Sequence, residues 1–145
     1  MSFRDKIIAG IQQYGHMVIG VDDNPSFAYT VGLTSRFGCE LLVIGLPYQY
    51  AHAILNDIAS KFSPDLLDKP TTEFSNLPLL LKETDMSLGV LHDEYVCQAD
   101  NFYGKEVNVV QVILSDRQGR TPLNDDYDHE YMDPRQRLFV DFTKR

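Results

Sequence analysis

The sequence predicts an α+β domain, one unit over residues 1–145 with a mostly antiparallel sheet flanked by helices. Three observations carry this. Residues 16–33 alternate at period two around a strong turn, Asp22-Asp23-Asn24-Pro25. Residues 3–14 and 47–62 repeat apolar side chains at helical spacing. The strand-like runs are often adjacent in sequence, as in hairpins.

The first helix places Phe3, Ile7, Ile8 and Ile11 on one face, behind a Ser2 cap with Asp5 three residues on, and Gly15 ends it. Residues 16–33 then read as an antiparallel hairpin, with Met17, Ile19 and Val21 sharing a face. Leu41-Leu42-Val43-Ile44 is a short apolar run, as in a strand covered on both faces. Gly45 and Pro47 mark the change to the second helix, whose stripe is Ala51, Ile54, Leu55, Ile58 and Phe62. Residues 63–76, polar and with two prolines, read as a surface loop. Residues 79–81 and 86–90 read as two short strands, followed by a short helix closed by Gly104. Val107–Leu114 is the clearest strand of the second half. From about 116 the chain is charged and irregular, with tyrosines at 127 and 131.

Composition narrows the function classes. A net charge of −8 works against nonspecific nucleic-acid or anionic-membrane binding. No apolar run approaches the roughly 20 residues of a membrane span. The opening Met1-Ser2-Phe3-Arg4-Asp5-Lys6 lacks the apolar core of a secretory signal. Cys39 and Cys97 are too few for a disulfide framework or a thiolate zinc site, and read as reduced thiols in a cytoplasmic protein.

The segment Pro25–Leu33 is the most informative. As a strand it turns Phe27, Tyr29, Val31 and Leu33 to one face, and Ala28, Thr30 and Gly32 to the other. The second face has little volume and one hydroxyl, which suits a closely apposed helix, backbone or ligand. Gln111 stands mid-strand with Val107, Val109 and Ile113. Its amide is either tied internally to backbone, the more common case, or orients a ligand. Glu40 begins the apolar run and reads as a solvated strand end, with a general base or a cation-binding carboxylate as the alternative. Tyr29, Thr30, Glu40 and Gln111 together are the candidate ligand-binding residues of one pocket. The catalytic set is unknown. His92-Asp93-Glu94 and Asp128-His129-Glu130 lack metal-ligand spacing, so no metal site is expected. His16 reads as a strand-edge residue and His52 as a helix-surface residue. Phosphate-loop, dinucleotide and nucleophile-elbow motifs are missing from the sequence.

Gly20, Val21, Asp22, Pro25, the run Phe27–Leu33, the run Glu40–Leu46, Gln111, Asp116-x-x-Gly119 and Pro122 together resemble a small bacterial and phage family known only as a domain of unknown function. The resemblance covers most of residues 7–123. Two positions depart from it: Cys39 stands where members often carry proline, and Leu123 where they carry tryptophan. The second departure removes an aromatic platform at that end.

Three readings of function stay open. The favoured one is a non-catalytic protein that binds a small polar or nucleotide-like molecule, with a phage or host-defence role suggested by analogy from the resemblance. The others are a flavin- or nucleotide-dependent enzyme (or a hydrolase using Glu40 and a histidine), and an acidic interaction module whose tyrosine-bearing C-terminal segment engages a basic partner. The cofactor is unknown, and homo-oligomerisation is left open.

Overall fold

The computed structural model describes residues 2–84, 89–140 and 142. Helix α1 spans Phe3–Tyr14. Its capping box is complete: the Asp5 N–H donates to Ser2 Oγ at 3.1 Å, and the Ser2 N–H donates to Asp5 Oδ2 at 3.3 Å. Gly15 ends the helix in the left-handed conformation, φ 88°, and its N–H donates to Ile11 O. Strands β1 (Met17–Val21) and β2 (Phe27–Val31) form the expected antiparallel hairpin, with Met17 opposite Val31 and Val21 opposite Phe27.

A one-turn helix, α2 (Thr34–Phe37), follows β2 and closes at Gly38. Strand β3 (Glu40–Ile44) pairs antiparallel with β2, and α3 (Tyr48–Lys61) covers the sheet. Beyond it come a 3₁₀ turn at Pro64–Leu66, strand β4 (Leu79–Glu83), a π-helical turn at Leu91–Tyr95 and α4 (Cys97–Tyr103). Strand β5 (Val109–Leu114) completes the sheet, and α5 (His129–Met132) is a single late turn. The strand order is β1-β2-β3-β5-β4. Every neighbouring pair is antiparallel except β3 and β5, which run parallel with Glu40 opposite Val109.

Both sheet faces are covered, which is why the central strands read as unbroken apolar runs. Ala28, Leu41, Val43, Val110 and Val112 pack under Ala51, Leu55, Ile58 and Ala59 of α3. On the other face Phe27, Tyr29, Val31, Leu42 and Ile44 pack with Ile7 of α1, Ala99 of α4 and Phe139 of the C-terminal segment. Fully burying one such Leu or Ile contributes about 1.5–3 kcal/mol. The alternation expected over 27–33 ends at Val31. Gly32 lies past β2 at φ 120° on the α1 side, and Leu33 packs with Ala28 on the α3 side. The small positions do lie against close neighbours. Ala28 and Thr30 are fully buried, and a Cβ on Gly32 would stand 2.8 Å from Ile11 Cγ1 and 3.0 Å from His16 Cα.

Three segments differ from the sequence expectation. The 63–76 stretch does more than cross the surface: Leu67 bridges to Leu81, and Thr71 exchanges two 2.9 Å backbone hydrogen bonds with Leu79. That partly covers the outer edge of β4. Of the strand expected at 86–90, residues 86–88 lie outside the described residues, while Gly89 and Val90 are helical. They lead into the π-helical turn, where the Val96 N–H closes onto Leu91 O. Finally, α2 carries no apolar periodicity to announce it; a distant carboxylate nucleates it, as described next.

Candidate functional site

Glu40 is fully buried and accepts five hydrogen bonds. The Thr30 hydroxyl reaches Oε1 at 2.8 Å and the Leu33 N–H at 3.1 Å. The Gly32 N–H reaches Oε2 at 3.3 Å, the Thr34 N–H at 2.7 Å, and the Thr34 hydroxyl also donates there. Thr30 Oγ1 accepts in turn from the Leu41 N–H at 2.9 Å. The carboxylate therefore ties the end of β2 to the start of β3 and supplies acceptors for the first turn of α2. Burial pushes its carboxyl above the ordinary range, and the Thr34 and Thr30 hydroxyls with the Thr34 and Leu33 N–H groups pull it back. This corrects the solvated strand end favoured from sequence: the carboxylate avoids water because five donors replace it. No histidine is among its partners.

Tyr29 and Gln111 lie on the sheet face opposite Thr30. Gln111 stands beside Leu42 and under Phe139, with Tyr29 in the same cluster, whereas Thr30 follows Ala28 toward α3. The Tyr29 hydroxyl accepts the Gln98 N–H at 3.3 Å, and burial raises its pKa. Gln111 donates to Arg137 O at 2.6 Å and accepts from the Phe139 N–H at 2.8 Å. Thr30 and Glu40 thus form one network, while Tyr29 and Gln111 serve two others. The expected convergence of all four on one pocket does not occur, because strand alternation separates Thr30 from Gln111.

Gln136, not singled out from the sequence, repeats the Gln111 device. Its Oε1 accepts the Leu114 N–H at 3.0 Å, and its Nε2 donates to Leu114 O at 2.9 Å. Two side-chain amides thereby replace ladder partners and pin residues 136–139 to β5. Asp116 organises the neighbouring turn. Its carboxylate accepts the N–H groups of Gln118, Arg120 and Asp128 at 3.0, 2.9 and 3.0 Å, and Arg120 Nε at 2.8 Å. Burial alone would raise this carboxyl, but the Arg120 and Asp128 N–H groups and the Arg120 guanidinium hold it down at about 2.

These anchors shape the end of the sheet where β3 finishes. An open cleft of about 920 Å³ runs from the β1 edge past the hairpin turn to Gly45–Tyr48 and Pro134–Arg135. Apolar walls come from Phe3, Pro25, Pro47 and Tyr48, and the ionisable groups are Asp22, Asp23, Tyr48 and Arg135. Two glycines permit this shape. Gly45 has φ 101°, and a Cβ there would overlap the Arg135 carbonyl; a Cβ on Gly20 would overlap the Tyr48 ring. Arg135 and Tyr48 were missed from sequence. The signal for Arg135 was Gly45 itself, a glycine directly after a buried strand where another backbone crosses.

A second hollow, of about 550 Å³, lies at the opposite end with Cys39, Glu83, His92 and Glu106 in its wall. Burial and the carboxylates of Glu40 and Glu83 push the Cys39 thiol up to about 12. His92 Nδ1 sits 2.7 Å from Asp100 Oδ2, and Asp100 Oδ1 accepts the Val107 N–H at 2.9 Å. His129 meets Asp133 at 3.1 Å on the surface. His16 is buried at the start of the hairpin, with Nε2 2.7 Å from Asn56 Oδ1, and His52 lies 3.2 Å from the Asn56 amide. Among the described residues no three or more His, Cys, Asp or Glu side chains gather as a metal site, and no helix is long and apolar enough to cross a membrane.

Fold and cleft define a small α+β domain with helices on both sheet faces and an open cleft at one sheet end. A family model described as a domain of unknown function, DUF4262, matches residues 10–128, and the chain belongs to that family. No curated protein and no solved structure matches it.

Proposed function

We propose that the chain is a non-catalytic binding protein whose cleft beside Gly45 takes a small polar or nucleotide-like molecule. The composition of the cleft carries this reading: apolar and aromatic walls with a few polar groups at fixed places are how small-molecule sites secure affinity and orientation. Tyr48 offers an exposed ring for stacking, and Arg135 offers a cation. The two fully buried carboxylates, Glu40 and Asp116, are each saturated by structural donors, so neither is presented to a substrate. That favours binding over acid–base catalysis. Tyr29, Thr30, Glu40 and Gln111 enter this reading as the frame of the site: Gln111 holds the segment that delivers Arg135, and the Thr30–Glu40 network fixes β2 against β3.

The test is native mass spectrometry of the full chain purified from its own cells, with identification of any released small molecule. Amide shifts on rebinding are expected at Gly20, Leu46 and Arg135. Shifts confined to residues away from the cleft would overturn the assignment.

A further inference from the structure

The two edges of the sheet are treated unequally. On β4 the 67–71 segment bridges the outer side at Leu67 and Thr71, and Lys82 adds a charge to the strand. Strand β1, at the other edge, pairs only with β2 and carries no charge, proline or bulge over Met17–Val21. Natural sheets blunt a free edge with such features, because unpaired N–H and C=O groups there recruit another strand.

The hydrogen-bond pattern decides which groups of β1 are free. The Gly45 N–H donates to Ser26 O at 2.8 Å, so Ser26, Ala28 and Thr30 turn their backbone groups toward β3. Phe27, Tyr29 and Val31 therefore turn theirs toward β1, where Val21, Ile19 and Met17 meet them. Val18 and Gly20 are left with N–H and C=O pointing outward, and among the described residues nothing bonds to them. The open cleft runs along this edge, flanked by the exposed rings of Phe3 and Tyr48.

We propose that a second copy of this chain pairs here, β1 against β1 and antiparallel, joining the two sheets across a two-fold axis. Matching Val18 and Gly20 across such an axis allows only registers that set 18 on 18, 18 on 20 or 20 on 20. The middle one alone pairs all of Met17–Val21. Val18 then stands opposite Gly20 of the second copy, Met17 opposite its Val21, and Ile19 opposite its own counterpart, so no facing pair carries a charge. The same register brings the Asp22–Asp23 turn of each copy beside the start of β1 in the other. A Cβ on Gly15 would stand 2.9 Å from Arg36 Nη1, which puts a guanidinium at that start. Asp22, Asp23 and Arg36 make no ion pair among the described residues. Apolar middle and complementary ends make the edge a match for itself, which singles out a second copy over an unrelated peptide. The proposal is independent of the small-molecule reading, which concerns Tyr48 and Arg135.

One short edge is small beside the roughly 1,200–2,000 Å² of a stable interface, so the dimer should be reversible. Sedimentation equilibrium of the full chain should show protomers of 16.6 kDa shifting toward twice that mass as concentration rises. Hydrogen exchange at Val18 and Gly20 should slow over the same range, while Ile19 stays protected throughout. Cross-linking in a Cys97→Ser background reads the register, since Cys39 is buried. Ile19→Cys should form a disulfide-linked dimer on mild oxidation, because facing Cα atoms in such a pair lie about 4.5 Å apart. Met17→Cys and Val21→Cys, mixed, should link to each other far more than to themselves. Ile19→Lys should weaken the dimer roughly tenfold by setting like charges opposite each other, with its melting curve confirming the fold. If that variant does not fold, the cysteine pattern decides. A mass of 16.6 kDa at every concentration, equal cross-linking at all three positions, or a dimer indifferent to a folded Ile19→Lys overturns the proposal.

Discussion

The two ends of the parallel β3–β5 pair are each organised by a fully buried carboxylate, and the two are solved differently. Glu40, at the start of β3, has hydroxyls and backbone N–H groups around it and no cation within its hydrogen-bond set. Asp116, two residues past β5, has three N–H groups and the Arg120 guanidinium. The consequence is opposite titration: burial prevails and raises Glu40, while the donors prevail and lower Asp116 to about 2. The ends also differ in the size of their hollows. Beside Glu40 the β2–β3 connection closes on its own hydrogen bonds and borders the smaller hollow, of about 550 Å³. Beside Asp116 the chain turns outward and leaves a cleft, with Arg135 in its wall.

Removing Glu40 is the most damaging way to break this comparison. Glu40→Ala strands five donors at once and should cost roughly 3–5 kcal/mol. Urea unfolding should show a lower midpoint at unchanged slope. A loss below about 1 kcal/mol would mean that water replaces the carboxylate at little expense.

Asp116→Asn should cost less, about 1–3 kcal/mol, and it carries a pH signature. A carboxyl lowered to about 2 stabilises the fold above the ordinary Asp value, and the contribution disappears as pH falls through about 2. The gap between wild type and Asp116→Asn should therefore narrow between about pH 4 and pH 2. For Glu40 the sign reverses. A raised carboxyl holds its proton more tightly folded than unfolded, so its titration favours the fold at low pH and that contribution fades as pH rises through the raised value. The gap between wild type and Glu40→Gln in equilibrium unfolding should therefore be constant below about pH 4 and change above the ordinary Glu value. Wild type should lose stability relative to that variant as pH rises, the opposite sign from Asp116→Asn.

Gly45→Ala should be milder still, about 1–2 kcal/mol, because it sets a Cβ at φ 101° against the Arg135 carbonyl. Its amide spectrum should change most over residues 134–136. The smallest effect is chemical. Cys39, buried with its thiol pushed up to about 12, should resist iodoacetamide near pH 8, whereas the partly exposed Cys97 should alkylate first. Peptide mapping reads the order.

Much of the fold was legible because it follows from periodicity and caps. The Ser2–Asp5 box, the 16–33 hairpin and the α3 stripe are local patterns that tertiary structure preserved. The strands buried on both faces were legible as apolar runs. What escaped was non-local. Helix α2 depends on a carboxylate six residues after its first residue, and nothing in Thr34–Phe37 announces it. Gln111 was recognised as unusual, but its partners are 26 and 28 residues away on the backbone of a segment that reads as irregular. The candidate pocket failed to converge for a related reason: polar residues in apolar strands mark where a chain satisfies itself as readily as where it meets a ligand. The cleft was invisible from sequence because its walls come from the hairpin turn, the start of α3 and a late proline–arginine pair.

The most direct measurement is native mass spectrometry of the wild-type chain from its own cells beside Tyr48→Ala and Arg135→Ala, both at exposed positions. The account predicts a small molecule retained by wild type and largely lost from both variants, with all three folded. Wild type free of any ligand, or equal retention in all three, would contradict it.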